Sequence, residues 1–160
     1  MKGKKKGFTL IELLMVIIIV GILATMSVPL YLKTVESARA DDAVAMGHML
    51  ATAYRMYLVD HPGPGLDGHM TNVCNEYSCD NAPDNACRLA ACNYVSKQNW
   101  DDSAYTYSVS ANPAGVIASV RRKSGEAPGT TVSPYNGWGY DFNNLGGCIE
   151  TGGAPHCPSF

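Results

Sequence analysis

A long, predominantly apolar run occupies the N-terminal part of the chain, over residues 8–32. Glu12 is the only charged side chain in this run. As a helix it would be roughly 37 Å long, at about 1.5 Å per residue, and the hydrocarbon core of a bilayer is about 30 Å thick. The run therefore predicts a helix that can span a membrane.

The charges that flank this run give the predicted span an orientation. Basic residues precede it and acidic residues follow it: Lys2, Lys4, Lys5 and Lys6 before, Glu36, Asp41 and Asp42 after. By the positive-inside rule, the N-terminus faces the cytoplasm and the rest of the chain lies outside. A conventional secretory signal or a simple single-span anchor would share this hydropathy. The run exceeds a usual signal core, and an anchor leaves Glu12 unexplained, because a lone carboxylate in an apolar helix costs about 2.5 to 3.5 kcal/mol.

Residues 4–14 read KKKGFTLIELL. This segment resembles the prepilin signature of type IV pilins and type II secretion pseudopilins, and the resemblance extends over about 50 residues. In that family a membrane aspartyl peptidase cuts after the glycine and methylates the new N-terminal phenylalanine. The resemblance implies cleavage between Gly7 and Phe8, N-methylation of Phe8, and a mature chain that starts at Phe8.

Removal of the leader would give Glu12 a partner. The Phe8 amine would become a cation four positions before Glu12 in the sequence, and the amine of a neighbouring subunit could neutralise the carboxylate. In a low-dielectric filament core either charge left unpaired would cost several kcal/mol. Phe8 and Glu12 are therefore predicted to set the register of assembly. A Glu12 that is self-paired or snorkelling in a monomeric anchor is the alternative.

Gly21 and Pro29 interrupt the apolar helix. Pro29 lacks the N–H that would bond to the Thr25 carbonyl and crowds that turn, so the sequence predicts a kink or local melting. Related pilins can unwind in this region inside the filament, which lets the polymer stretch. A plain membrane-helix kink is the alternative reading.

The helix is predicted to continue as an amphipathic segment over residues 33–60. Met46, Leu50, Ala53 and Tyr57 recur at helical spacing, and we expect this stripe to pack against the rest of the domain. His48 and Arg55 lie off the stripe and are expected to be solvated or filament-contact residues. Two prolines and two glycines in residues 61–65 end the helix.

The remaining residues, 61–160, predict a small globular head with an antiparallel sheet. Residues 105–110 and 116–121 read as a hairpin, and shorter strands are expected at 130–133 and 138–142. The predicted class is α+β, with disulfide-containing loops and one long N-terminal helix, apolar in its first half and packed on the sheet in its second. The predicted segments are a leader over 1–7, a membrane and polymerisation helix over 8–32, its amphipathic continuation over 33–60, and the head.

All six cysteines lie on the side that the charges place outside the cytoplasm, where disulfides are the default. They are Cys74, Cys79, Cys87, Cys92, Cys148 and Cys157. We expect the local pairs Cys74–Cys79, Cys87–Cys92 and Cys148–Cys157. The last of these resembles the C-terminal loop that many pilins close with a disulfide. No C-x-x-C pair exists, which argues against a zinc site and covalent haem.

Other candidate sites are weaker. Asp80, Asn81, Asp84 and Asn85 could offer oxygens to calcium, but their spacing departs from the EF-hand and Pro83 intervenes. The run Arg121, Arg122 and Lys123 is read as a strand end or subunit contact before a nucleic-acid site. Tyr31, Tyr54 and Tyr57 are read as packing residues before a conductive path. His61, His69 and His156 are expected at the surface.

The sequence and its resemblance to type IV pilins thus predict a structural subunit, the major pilin, of a type IV pilus-like extracytoplasmic filament, without enzymatic activity, metal or other cofactor. Without the four leader lysines, the 12 basic side chains become 8 against 14 acidic ones, a formal charge of −6, which does not favour a DNA partner. The resemblance implies a prepilin peptidase, a membrane assembly platform and a cytoplasmic ATPase as partners. It also implies a single-pass precursor among inner-membrane lipids, then a homo-oligomeric surface or periplasmic filament. A pseudopilin and a membrane-anchored binding or enzymatic domain are the alternatives, and adhesion, motility, DNA uptake and secretion are not distinguished.

Overall fold

The structure is a computed structural model that describes residues 7–112, 115–123 and 135–158. The chain divides into two units, residues 1–37 and 38–160. One long helix, α1 (Leu10–Asp60), begins in the first unit and ends in the second. The predicted end of the helix before the proline and glycine segment is confirmed.

In the first unit, every described residue from Gly7 to Thr34 is exposed. The most apolar 18 residues of α1 have a mean hydropathy of 2.7, and none of them is buried within the chain. By length and composition α1 can cross a membrane. Helical structure continues through Gly21 and Pro29, so Pro29 lies inside the helix and does not end it.

The second unit contains a five-stranded sheet with the order β1-β2-β3-β4-β5 and antiparallel pairing throughout. Its strands are β1 (Gly68–His69), β2 (Tyr105–Val109), β3 (Val116–Arg122), β4 (Gly139–Asn143) and β5 (Cys148–Thr151). The predicted hairpin is confirmed as β2 and β3, and the predicted strand at 138–142 corresponds to β4. The predicted strand at 130–133 lies outside the described residues. The sequence did not predict β1 and β5.

The core of this unit lies between the sheet and the C-terminal part of α1. Leu50, Ala53 and Tyr57 are buried and Met46 is partly buried, which confirms the predicted inward stripe. On β2, buried side chains alternate with half-buried ones, as a strand with one covered face requires. The chain therefore has the predicted α+β architecture, with a long helix, a small antiparallel sheet and three disulfides.

Gly47 is a point of close approach between α1 and the sheet. A methyl group in its place would lie 2.2 Å from Cε2 of Phe142 and 2.9 Å from Cγ2 of Val120, and both of these side chains are buried. The ring of His48 meets the same Phe142 ring edge-on, with centroids 4.8 Å apart. His48, expected to be a solvated or filament-contact residue, is half-buried here, and burial beside Phe142, and secondarily the charge of Arg55, lower the pKa of His48.

Gly47→Ala is expected to destabilise the head. Overpacking costs about 1 to 3 kcal/mol, and the gain in helix propensity offsets only about 0.5 to 1 kcal/mol of that. Thermal unfolding of the detergent-solubilised chain measures the difference. Gly21→Ala is the matched control, because nothing lies within 4 Å of that position in the same helix. Equal melting temperatures for the two variants would contradict the close packing at Gly47.

The disulfides join Cys74 to Cys87, Cys79 to Cys92 and Cys148 to Cys157. The expected local pair Cys148–Cys157 is confirmed, whereas Cys74–Cys79 and Cys87–Cys92 were wrong. Cys87 opens a short helix, α2 (Cys87–Ala91), and Cys92 follows its end. Five helical residues rise about 7.5 Å, beyond the usual Cα separation of about 4.4 to 6.8 Å in a disulfide. The observed pairs instead have Cα atoms 4.4 Å and 4.5 Å apart.

The depth of each cysteine matches these crossed pairs. Cys74, in a 3-10 turn (Asn72–Asn75), and Cys87 are buried. Cys79 is exposed and Cys92 is half-buried. One disulfide therefore closes the loop at the core and the other closes the same loop nearer the surface.

Candidate assembly surface

The residues at the predicted cleavage junction stand at the start of α1. Gly7 and Phe8 precede the helix, and the Phe8 side chain is 82% exposed. An added methyl group at Gly7 would meet nothing within 4 Å. The junction is therefore accessible in the first unit.

Glu12 forms a local capping arrangement with Thr9. Oε2 of Glu12 accepts hydrogen bonds from the backbone N–H and the hydroxyl of Thr9, both at 2.8 Å, and the Thr9 hydroxyl oxygen accepts the Glu12 N–H at 3.4 Å. This is a capping box, with threonine at the N-cap and glutamate three positions later. Both bonds to the carboxylate end on Oε2. Oε1 is left without a hydrogen-bond donor among the residues that the structure describes.

The helix that carries Glu12 presents large apolar side chains on all of its faces. Their exposure ranges from 47% at Leu14 to 83% at Leu10 within residues 10–32. A helix that is hydrophobic all round is stable only in lipid or inside a larger assembly. This part of α1 is thus a surface that needs a cover from outside the first unit.

The basic run of the head is engaged within the head. Arg121 donates to Oδ1 of Asp141 at 2.6 Å. Arg122 is buried, donates to the Ala104 carbonyl at 2.7 Å and lies 5.5 Å from the centre of the Tyr105 ring. Lys123 donates to the carbonyl of Asp101 at 2.6 Å. These contacts fit the strand-end interpretation of the run.

Three of the four residues considered for calcium make local bonds that shape the cysteine-rich loop. Asn81 Oδ1 accepts from the Ser78 N–H and hydroxyl at 2.9 and 3.0 Å, and Asn85 Oδ1 accepts from the Cys87 N–H at 2.9 Å. Asp84 is paired with Arg88. Within residues 7–112, 115–123 and 135–158, no group of three or more His, Cys, Asp or Glu side chains is placed to hold a metal ion.

The tyrosines and histidines singled out in the sequence are packing or surface residues. Tyr54 and Tyr57 are buried with ring centroids 6.4 Å apart, and the His61 ring stacks on Tyr57 at 4.5 Å. His69 and His156 are exposed, as expected. Tyr31 lies on the exposed apolar part of α1.

The C-terminal loop is held by more than its disulfide. The Tyr140 hydroxyl donates to the Pro155 carbonyl at 3.2 Å, and burial raises the pKa of Tyr140 to about 12. His156 Nδ1 lies 2.7 Å from Oε1 of Glu150. Hydrogen bonds from its own backbone and then from His156 lower the pKa of Glu150.

Comparison with known proteins points to the same N-terminal region. The family model described as the prokaryotic N-terminal methylation motif matches residues 2–28. The chain is 37% identical over 78 residues to a type IV major fimbrial protein, FimA, of Dichelobacter nodosus, which covers 48% of this chain and 49% of that protein. It is 39% identical over 61 residues to the type IV major pilin protein PilE1 of Neisseria gonorrhoeae, covering 38% of this chain and 37% of that protein.

In its N-terminal methylation motif and in its likeness to these relatives, the chain is similar to type IV pilins. It spans about half or less of the length of the curated relatives that it matches. No solved structure matches it. The similarity therefore rests on the motif and on the region that these major pilins share with the chain.

Proposed function

We propose that this chain is a structural subunit of a type IV pilus-like filament that is assembled from the inner membrane. The observation that carries the proposal is the exposed apolar half of α1, which contains the single carboxylate of Glu12. In a membrane, lipid covers this surface, and in a filament the same surface of other copies covers it. The role is structural, and the proposal assigns no enzymatic step to the chain.

The proposed maturation divides the chain at the glycine before α1. Residues 1–7 form the leader, and a prepilin peptidase cuts between Gly7 and Phe8 and methylates the Phe8 amine. Residues 8–32 hold the subunit in the membrane and later polymerise, residues 33–60 continue the helix, and residues 61–160 form the head. The match of the methylation motif to residues 2–28 supports this maturation.

Glu12 is proposed to pair with the Phe8 amine of an adjacent subunit. The capping box holds the carboxylate at the first turn of α1 through Oε2, so that Oε1 remains as an acceptor for an outside cation. A carboxylate and an amine that are both buried by polymerisation compensate each other, while a shifted neighbour leaves two charges unpaired. The pair would therefore favour one axial register.

The apolar half of α1 contains two helix-weakening residues, and we propose that local melting around Gly21 and Pro29 lets the filament lengthen under tension. Pro29 leaves the Thr25 carbonyl without its usual backbone donor. An exposed Gly21 adds backbone freedom about two turns before Pro29. Both residues lie in the exposed part of α1, which would gain its stability in a filament from neighbouring subunits.

The proposed partners follow from this order of membrane insertion, processing and assembly. They are the prepilin peptidase, inner-membrane lipid before assembly, a membrane assembly platform and a cytoplasmic assembly ATPase, and finally other copies of the chain. The filament would stand at the cell surface or in the periplasm. The type II secretion pseudopilin is the second candidate, and the similarity to a major fimbrial protein and a major pilin favours the pilus.

Deletion of the gene tests the proposed function directly. Electron microscopy of the cell surface should show filaments that disappear on deletion and return when the full chain is supplied in trans. Filaments that persist unchanged in the deletion strain would assign this chain to another role.

The mature protein is expected to start at an N-methylated Phe8. Intact-mass measurement of the membrane fraction and of sheared filaments checks both the cut and the added methyl group. A Gly7→Val variant serves as the control and should retain residues 1–7, because the branched side chain fills the position that the peptidase must approach. A wild-type chain that keeps Lys2 to Lys6, or starts beyond Leu32, would contradict the proposed maturation.

A further inference from the structure

The sheet of the second unit has two edge strands. In the described sheet these are β1, with two residues, and β5, with four. An edge strand presents backbone N–H and C=O groups with which another chain can pair, and a longer edge offers more of them. The edge of β5 is therefore the longer unpaired strand edge in the part of the head that the structure describes.

The register of the turn between β4 and β5 shows which groups of β5 form this edge. The Asn143 N–H donates to the Gly147 carbonyl at 3.0 Å, so these two residues form a hydrogen-bonded pair. Every second position bonds to the partner strand in an antiparallel pair. The intervening residues Cys148 and Glu150 therefore turn their N–H and C=O groups away from β4.

The Glu150 carboxylate lies at this edge and occupies one of its donors. The N–H of Glu150 itself donates to the carboxylate, and the N–H of Cys157 does so as well. Oε1 of Glu150 lies 2.7 Å from Nδ1 of His156. A strand that approached the edge would thus meet a negative charge and an N–H that already has an acceptor.

The C-terminal segment that supplies these contacts is itself attached to the sheet. The Cys148–Cys157 disulfide joins it to β5. On β4, the Tyr140 hydroxyl donates to the Pro155 carbonyl at 3.2 Å, and Tyr140 is directly opposite Glu150 in the register. Two neighbouring strands therefore hold residues 155–157, and this segment fixes the Glu150 carboxylate at the edge.

We propose that the edge of β5 is an interaction surface for β5 of a second copy of this chain, and that Glu150 keeps this surface closed. The edge is self-complementary, because two copies of β5 can pair in antiparallel orientation about a two-fold axis. Such pairing would bring a carboxylate from each copy to the shared edge, and like charges that face each other across paired strands are destabilising. The inference goes beyond the proposed function, because it concerns a contact that the folded head prevents.

Glu150→Val is expected to open the edge. The substitution removes the charge and the acceptor of the N–H, and it places a β-branched side chain that favours strands. In sedimentation velocity of the full chain in detergent, this variant should self-associate at least about tenfold more tightly than the wild type. Thr151→Val is the matched control: it lies on the same strand, has no contact with the carboxylate, and should sediment as the wild type does.

Glu150→Gln separates the charge from the hydrogen bond. The amide keeps an acceptor for the N–H but carries no charge, so its self-association should lie between those of the wild type and Glu150→Val. It also carries the test if Glu150→Val lowers the melting temperature of the head. The proposal is overturned if both Glu150 variants form all disulfides and sediment as the wild type does. Equal association of Glu150→Val and Thr151→Val would overturn it too, since strand propensity alone would then explain the effect.

Hydrogen–deuterium exchange identifies the surface that associates. In the associated Glu150→Val variant, the amides at positions 148 and 150 should exchange more slowly than at a concentration where the chain is dissociated, because strand pairing gives them acceptors. Slower exchange confined to α1 or to β1 would overturn β5 as the interaction surface. Neither measurement needs a filament, so this proposal and the proposed function are tested by separate experiments.

Discussion

Glu12→Gln is expected to abolish filament formation, or to reduce it sharply, while the subunit stays inserted, cleaved and folded in its head. The amide keeps the size of the side chain and one acceptor, but it removes the charge that would face the Phe8 amine of a neighbour. Breaking a buried pair by removing one partner costs about 3 to 5 kcal/mol. The loss recurs at every subunit, so it multiplies along the polymer.

Because of the capping box, Glu12→Gln is expected to affect assembly without disturbing the first turn of α1. Glutamine at this position can accept the Thr9 N–H as glutamate does, so the first turn of α1 keeps its cap. In lipid, a neutral side chain costs no more than a charged one. The effect on assembly is therefore separated from effects on the helix and on insertion.

The measurement compares the membrane-fraction abundance of the subunit with the yield of sheared filaments. Glu76→Gln is the control: it makes the same chemical change at an exposed position in the head and should leave assembly unchanged. Filaments at wild-type yield from Glu12→Gln would remove the register role. Glu12 would then retain only its capping contact with Thr9.

The second large effect concerns the crossed disulfides. Removing the bond between Cys74 and Cys87 in a Cys74→Ala, Cys87→Ala variant should destabilise the head by about 2 to 4 kcal/mol. The reason is that the bond closes a loop with a sequence separation of 13 beside the buried α2. Denaturant unfolding of the full chain under non-reducing conditions measures this loss. The Cys148→Ala, Cys157→Ala variant is the comparison, and its shorter separation of 9 should give a smaller loss.

Peptide mapping decides the connectivity independently of stability. Cleavage after Glu76, before Asp80 or Asp84, and after Arg88 separates the four cysteines of this loop onto four peptides. Without reduction, the Cys74 peptide should remain joined to the Cys87 peptide, and the Cys79 peptide to the Cys92 peptide. Recovery of Cys74 with Cys79 would refute the crossed arrangement and restore the local pairs.

Much of the fold follows from periodicity in the sequence. The long helix, its end before residues 61–65, the inward stripe with Leu50 and Tyr57, and the β2–β3 hairpin are all encoded locally. Apolar residues that recur with period 3.6 in a helix or period 2 in a strand are close together in the sequence. The pattern can therefore be recognised before the tertiary structure is known. The N-terminal motif was readable for the same reason, since it lies within residues 4–14.

The missed features depend on residues far apart in the chain. The strands β1 and β5 have two and four residues, too short for a period to emerge, and each exists only because a partner strand is present. The crossed disulfides depend on α2, whose five residues hold Cys87 and Cys92 apart. Gly47 carried one usable signal: a glycine inside a long helix costs about 1 kcal/mol relative to alanine, so it usually has a packing reason.

The disulfides Cys74–Cys87 and Cys79–Cys92 also limit how far the head can lengthen when it unfolds under tension. From Cys74 to Cys92 the covalent path through either disulfide contains only about five residue steps, and the Cys148–Cys157 bond removes a separation of 9. A pull between the end of α1 and the C-terminal tail would thus release roughly 75 Å less chain than an unlinked head, at about 3.4 Å per residue. A subunit whose head has unfolded under tension would therefore extend by only a short distance. Neighbouring subunits in a filament would then bear the force after a small increase in filament length.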